Sequence, residues 1–212
     1  MCDTVSDIKE LIIPENGTIS INYPLTPSRA SSLSTRTTHP FVINTFQELI
    51  IRTGIGINLI NPYSLSTKGE MVKTCSNIVS LKKSYKDSVS CGKRGRRQHW
   101  DLKTGTDHCG VCMPCIYRRG ALHKVGLDNQ TYGIDILSAS SIYNYVDMPA
   151  LFDYLKTVVS KEKIKRGLLV NGSLNQDVLE DYAEVVIRSR RELLKWFSDK
   201  GNSYIKGELG IK

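Results

Sequence analysis

The chain has 212 residues, 40% of them hydrophobic, and carries a formal net charge of +8 at neutral pH. That length can bury a core as one domain or as one domain with an extension, and the basic balance favours polyanionic partners such as nucleic acid or nucleotides without fixing a fold. No run approaches the roughly 18 apolar residues of a membrane span, and the stretch from Met1 to Lys9 has no apolar core of a signal or transit peptide. A soluble, cytoplasmic protein with no membrane partner is expected.

In chain order, the first residues read as a loop entering Gly17. Thr18-Ile19-Ser20-Ile21-Asn22-Tyr23 alternates polar and apolar before Pro24, which predicts a short strand. Residues 24–38 are rich in Pro, Ser, Thr and Arg and read as a long loop, functional or flexible rather than a simple connector. Pro40 suits a first helical turn, and Val42, Phe46, Leu49 and Ile50 repeat at helical spacing until Gly54 and Gly56. Ile57 to Ile60 is a second strand closed by Asn61-Pro62, and Thr67-Lys68-Gly69-Glu70 opens a helix as a capping box. Strand, helix, strand and helix in succession imply a parallel α/β layer.

From about Ser84 to Pro114 the chain is polar and irregular. Ile116, Leu122 and Val125 mark a helix ended by Gly126, and Pro149 to about Val159 is another. A longer helix follows a cap near Ser173 or Asn175, with Val178, Tyr182, Val185, Val186, Leu193 and Trp196 on one face. The expected organisation is an α/β domain over residues 1–130 and a helical extension over 131–212.

Four of the six cysteines concentrate in the stretch from Cys91 to Cys115, at Cys91, Cys109, Cys112 and Cys115, and Cys2 and Cys75 stand apart. In a reducing compartment, clustered thiols read as metal ligands rather than disulfides. Cys109, Cys112 and Cys115 are spaced to converge on one ion, with Gly110 allowing a tight turn, and Cys91 completes a tetrahedral zinc site. Four sulfurs leave no open position, so the zinc is read as structural. An iron–sulfur cluster also uses Cys-x2-Cys-x2-Cys, but its bacterial form needs a Cys-Pro where Arg119 and Gly120 stand. Plain thiols are a third alternative, and His108 or His99 can replace one sulfur or stand beside the site.

These residues resemble the second half of 7-cyano-7-deazaguanine synthase, the QueC family. The order runs Ser34-Thr35-Arg36-Thr37-Thr38-His39-Pro40, then Asn61-Pro62-Tyr63, Thr67-Lys68-Gly69-Glu70, Ser90-Cys91, and Cys109-Gly110 through Cys112 and Cys115 to Arg118. The first of these motifs is most similar to the divergent members found in bacterial anti-phage operons, such as the QueC-like component of Qat systems. The resemblance spans roughly residues 17–128. It implies the C-terminal half of a Rossmann-like parallel sheet, of the adenine nucleotide alpha hydrolase type, with a zinc loop over about 84–118. It also implies ATP-dependent ligase chemistry that forms or attaches a 7-deazaguanine, with ATP and Mg2+ as cofactors. The family's Ser-Gly-Gly-x-Asp-Ser phosphate loop is absent, since Gly54-Ile55-Gly56 has no following Ser and Asp pair. The ATP loop is therefore expected from a complementing N-terminal chain or domain, and this chain alone is expected to be inactive.

Arg29, Ser34, Thr35 and Arg36 can line a nucleotide or base pocket, or be a solvated loop. Lys68 can meet phosphate at a helix start, or be a surface lysine in a capped turn, and Glu70 reads as a cap. The run Lys93-Arg94-Gly95-Arg96-Arg97, beside Trp100, can contact a nucleic-acid backbone or be a solvated loop. A zinc-stabilised module that binds nucleic acid or a protein is thus the alternative function, and a homo-oligomer is compatible with either.

Overall fold

A computed structural model of the chain describes residues 8–25 and 37–211. Two strands, β1 (Glu10–Ile12) and β2 (Asn58–Ile60), pair in parallel with Leu11 opposite Leu59. A parallel pair needs a crossover connection, and here it contains α1 (Gly17–Ser20) and α2 (Pro40–Arg52). The ladder extends at both ends, with Asn58 N–H donating to Lys9 O and Ile13 N–H to Ile60 O, each at 2.8 Å. The side chain of Gln47 on α2 serves the other edge of β2. Its Nε2 donates to Ile57 O at 3.0 Å and its Oε1 accepts from Leu59 N–H at 2.6 Å. Gln47 thereby stands in for a neighbouring strand, using one amide's donor and acceptor for the two backbone groups that β1 leaves over.

The first strand lies upstream of its expected position. The residues expected as a strand instead fall in the helical turn Gly17–Ser20 and a turn at 21–22, because Asn16 caps that helix, its Oδ1 accepting from Ile19 N–H at 3.1 Å. The cap satisfies a helix-end amide that an alternating pattern cannot serve. The expected helix from Pro40 is present as α2, with His39 as its cap through Nδ1 and Gly54 at φ +77° just beyond it. Its apolar stripe does not face a core, since Phe46 and Leu49 are half exposed and none of its residues is buried.

The remaining helices are α3 (Lys68–Lys73), α4 (Ile78–Ser84), α5 (Met113–His123), α6 (Met148–Lys156), α7 (Lys161–Leu169), α8 (Gln176–Lys200) and α9 (Ser203–Leu209). The helices expected after Thr67, around Ile116, after Pro149 and after Asn175 are all present. The unexpected ones, α4, α7 and α9, each follow a capping side chain, from Asn77, Ser160 and Asn202. The architecture is mixed and mostly helical, with one small parallel sheet among the described residues.

The chain divides into two compact units. One comprises the described residues up to Thr67 with Val159–Arg188, and the other Lys68–Val158 with Ser189–Lys212. Each has its own buried side chains. In the first, Ile21, Ile164, Leu168 and Val185 are fully enclosed, and a Cβ on Gly17 would lie 2.1 Å from Ser64 O. In the second, Ile116, Met148, Leu151, Phe152, Trp196 and Phe197 are enclosed, with the Phe152 and Phe197 rings edge to face at 5.2 Å. No helix among the described residues is long and apolar enough to cross a membrane.

Candidate metal centre

The four clustered cysteines meet in the second unit. Their sulfurs all lie within 4.8 Å of one another, and Cys109, Cys112 and Cys115 are buried. A tetrahedral ion at about 2.3 Å from each sulfur sets sulfurs roughly 3.8 Å apart, and Cys109 Sγ and Cys115 Sγ stand at 3.9 Å. The centre can hold a metal ion such as zinc. The spacing of the sulfurs is that of ligands around one ion, not of thiolates spread around a multi-atom cluster.

Backbone amides surround the sulfurs. Cys91 Sγ accepts from Lys93 N–H and Cys109 N–H, both at 3.3 Å. Cys109 Sγ accepts from Val111 N–H at 3.4 Å and Cys112 N–H at 3.3 Å. Such donors favour thiolate, the ligating form. The Cys109 and Cys115 thiols, with help from the amides of Cys115 and Gly92, draw the Cys112 thiol far below its ordinary range. Cys109 and Cys115 are pushed up in return, because they share their protons with neighbouring sulfurs. A divalent ion would take the place of those shared protons.

Local sequence explains how the loop closes. Gly110 sits at φ +86°, and a Cβ there would lie 2.0 Å from Ile134 O. Only glycine combines that dihedral with that approach. The approach is tight because the segment after His108 runs beside 131–134, with Gly133 N–H donating to His108 O at 2.7 Å and Ile134 N–H to Cys109 O at 2.9 Å. Gly110→Ala is expected to cost more than about 2 kcal/mol, read as a lowered melting temperature together with weaker metal retention. An unchanged melt would mean the turn relaxes freely. Cys112 then caps α5 and Cys115 lies in its first turn, where the helix dipole favours negative charge.

His108 stands beside the site and is not among its ligands. Its ring is buried, and Nε2 accepts from Ser90 N–H at 3.3 Å, fixing the residue before Cys91. Burial first, then the Arg118 charge, holds its pKa below the usual value, which keeps Nε2 free to accept. His99 lies in the 3-10 turn Arg94–His99 and takes no part in the cysteine cluster.

Arg118, which follows the last cysteine, is buried and fully engaged. It donates through Nε to Gln130 Oε1 at 3.0 Å, through one terminal nitrogen to Ser88 Oγ at 2.8 Å, and through the other to Gln130 Oε1 and Tyr85 O. It thus ties α5 to the segment leading into Cys91. Its neighbour Arg119 belongs to no sequence motif and is likewise engaged. Arg119 pairs with buried Asp128 at 3.3 Å and with Asp135 at 2.9 Å, and lies over the rings of Tyr132 and Trp196. Asp128 also accepts from Trp196 Nε1 at 2.9 Å and Tyr132 Oη at 3.1 Å. No local pattern announces this network, because Trp196 lies on α8, far along the chain.

Of the other expected site residues, Arg29, Ser34, Thr35 and Arg36 lie outside the described residues. Lys68 and Glu70 sit in the first turn of α3, where Gly69 N–H donates to Glu192 Oε2 at 3.3 Å. The carboxylate at that helix start is the chain's own, and Glu192 also pairs with Lys124 at 2.6 Å. The basic run is mostly paired as well. Lys93 bonds Asp147 at 2.9 Å, and Arg94 and Arg97 converge on Asp107. Arg97 also lies over the buried Trp100 ring, which packs against Gly133. No protein-family model matches this chain, and no curated protein and no solved structure was found to match it.

Proposed function

We propose that the chain is the zinc-bearing part of a QueC-like, ATP-dependent ligase that forms or attaches a 7-deazaguanine, acting in bacterial anti-phage defence. The observation that carries this reading is the closed four-sulfur centre, with sulfurs within 4.8 Å of one another and an arginine clamp at Arg118, on the same helix as the last cysteine. The same order of residues carries the family resemblance. In this reading the ion is a structural zinc that pins α5 to the loop of Cys91. Four thiolates close the coordination sphere, so no water is activated there.

The small sheet supports the same reading. Parallel strands are rarely stable as an exposed pair and need cover on both faces. Gln47 serves the outer edge of β2, whereas β1 has solvent-exposed side chains throughout. A complementing segment that adds strands beside β1 would complete a nucleotide-binding sheet and bring the missing phosphate loop. Holding a triphosphate during adenylation requires several oriented donors at once, and the start of α3 already serves Glu192.

Calorimetric titration of the purified chain with ATP and Mg2+ tests the reading. The chain alone is expected to bind ATP weakly or not at all, and an ATP-loop partner, in cis or in trans, should restore binding and turnover. In that assembly Lys68→Ala and Arg36→Ala should each lower turnover at unchanged zinc content. ATP turnover by the isolated chain with a deazaguanine substrate would overturn the division of labour.

A further inference from the structure

Beside the cysteine centre, within the second unit, lies an open cleft of about 470 Å3 that the proposed ligase chemistry does not use. That volume is within the range of small-molecule sites, roughly 300–1,000 Å3. Its lining includes Lys86, Arg97, Asn129, Gln130, Thr106 and the buried His108.

The hydrogen bonds inside the wall decide what the cleft offers outward. Arg118 has only donors, and its Nε and a terminal nitrogen both reach Gln130 Oε1, at 3.0 and 2.8 Å. The carbonyl end of Gln130 is therefore fixed inward, and its NH2 end is left to face away from Arg118. Asn129 lines the same wall, its Oδ1 accepting from Tyr85 Oη at 2.6 Å. Thr106 contributes little, because its hydroxyl donates to Thr131 O at 2.7 Å and accepts from His108 N–H at 3.2 Å. Lys86 forms no ion pair among the described residues and adds an ammonium. Asp107 is the single carboxylate on the lining, and its Oδ1 is taken by Arg94 and Arg97 together. What remains is two amide donors and an ammonium, beside an Arg pair whose charge exceeds that of its one carboxylate.

A donor-rich cleft of net positive charge selects a ligand that only accepts hydrogen bonds and carries negative charge. We propose that this cleft binds the phosphate group of a small phosphorylated molecule. A small molecule fits better than a nucleic-acid backbone because the neighbouring cations are not splayed along a surface. Arg94 and Arg97 fold onto Asp107, and Lys93 onto Asp147. The site rests on the wall built by Arg118 and stands whether or not the chain belongs to a ligase.

Calorimetric titration of the full zinc-loaded chain at low salt, with inorganic phosphate, adenosine monophosphate and a ten-nucleotide single-stranded DNA, tests this directly. Inorganic phosphate and the monophosphate are both expected to bind. Gln130→Glu should weaken both at least tenfold, because a carboxylate still accepts from Arg118 but replaces the outward donor with a negative charge. Its melting temperature should stay at that of the parent chain. Lys86→Met should weaken both ligands as well, and it reads the site independently if the Glu variant folds poorly. No binding of either small probe by the parent chain overturns the proposal, as does unchanged affinity in both variants. An oligonucleotide bound more than tenfold tighter than the monophosphate overturns it in favour of a nucleic-acid surface.

Discussion

A Cys112→Ser variant is expected to lose the metal and to leave the second unit unfolded at room temperature. In zinc-finger peptides the apparent free energy of binding structural zinc is about 10–16 kcal/mol near neutral pH, and it is folding free energy. Whole domains are stable by only about 5–15 kcal/mol, so one lost ligand suffices to remove the margin. Serine cannot substitute, because its hydroxyl does not ionise as a thiol does and binds zinc poorly. Cys112 is also the residue on which the Cys109 and Cys115 thiols converge, so its loss disturbs the centre, while serine at the start of α5 leaves that helix end no worse capped. Metal analysis should give about one zinc per parent chain and well under one in the variant, and circular dichroism should show loss of cooperative melting. A chelator or mild acid should reproduce the effect on the parent chain, since protons compete with zinc for the sulfurs. A brown protein containing iron would overturn zinc. A variant melting like its parent would overturn the structural role.

Asp128→Ala is expected to destabilise the chain by about 3–5 kcal/mol, the range for removing one partner of a buried ion pair. Both members are enclosed, with side chains 6% and 3% exposed for Arg119 and Asp128. Removing the carboxylate leaves the Arg119 guanidinium, over the Tyr132 and Trp196 rings, with the half-exposed Asp135 as its remaining partner, and leaves the indole N–H without its acceptor. Asp135, the other partner of Arg119, is half exposed, so Asp135→Ala should cost no more than about 1 kcal/mol. Urea denaturation of the two variants checks the contrast. Adding Arg119→Met to Asp128→Ala should recover part of the loss, because the uncompensated charge is then gone. Equal, small effects from both aspartates would mean that the network is solvated.

The parts that sequence made legible are those whose causes are local. Cys109, Cys112 and Cys115 are close in the chain, and Gly110 between them reports the turn they need. Pro40 and Gly54 bracket α2, and the bracketing holds although the apolar stripe of that helix is exposed. A periodic stripe states that a helix is amphipathic, not what covers it. The first strand was misplaced because β1 is only three residues long and acquires its identity from β2, far along the chain. Alternation from Thr18 to Tyr23 competed with one capping side chain, Asn16, and the cap prevailed. Arg119, Asp128 and Trp196 were invisible for the same reason as β1, because each is ordinary until the fold brings it to the others.

The division of the chain has a consequence for its synthesis. The first unit is interrupted in sequence, since it needs the residues up to Thr67 and then Val159–Arg188, and the second is closed only by Ser189–Lys212. Helix α8 supplies residues to both. On the ribosome, neither unit can complete its core until α8 has left the exit tunnel, so vectorial folding one domain at a time is closed to this protein. The zinc loop emerges well before that point, with all four thiols in place. Metal capture is therefore a tertiary event open to the second unit before α8 is made, and it would hold α5 in register while the residues that bury it are still being translated.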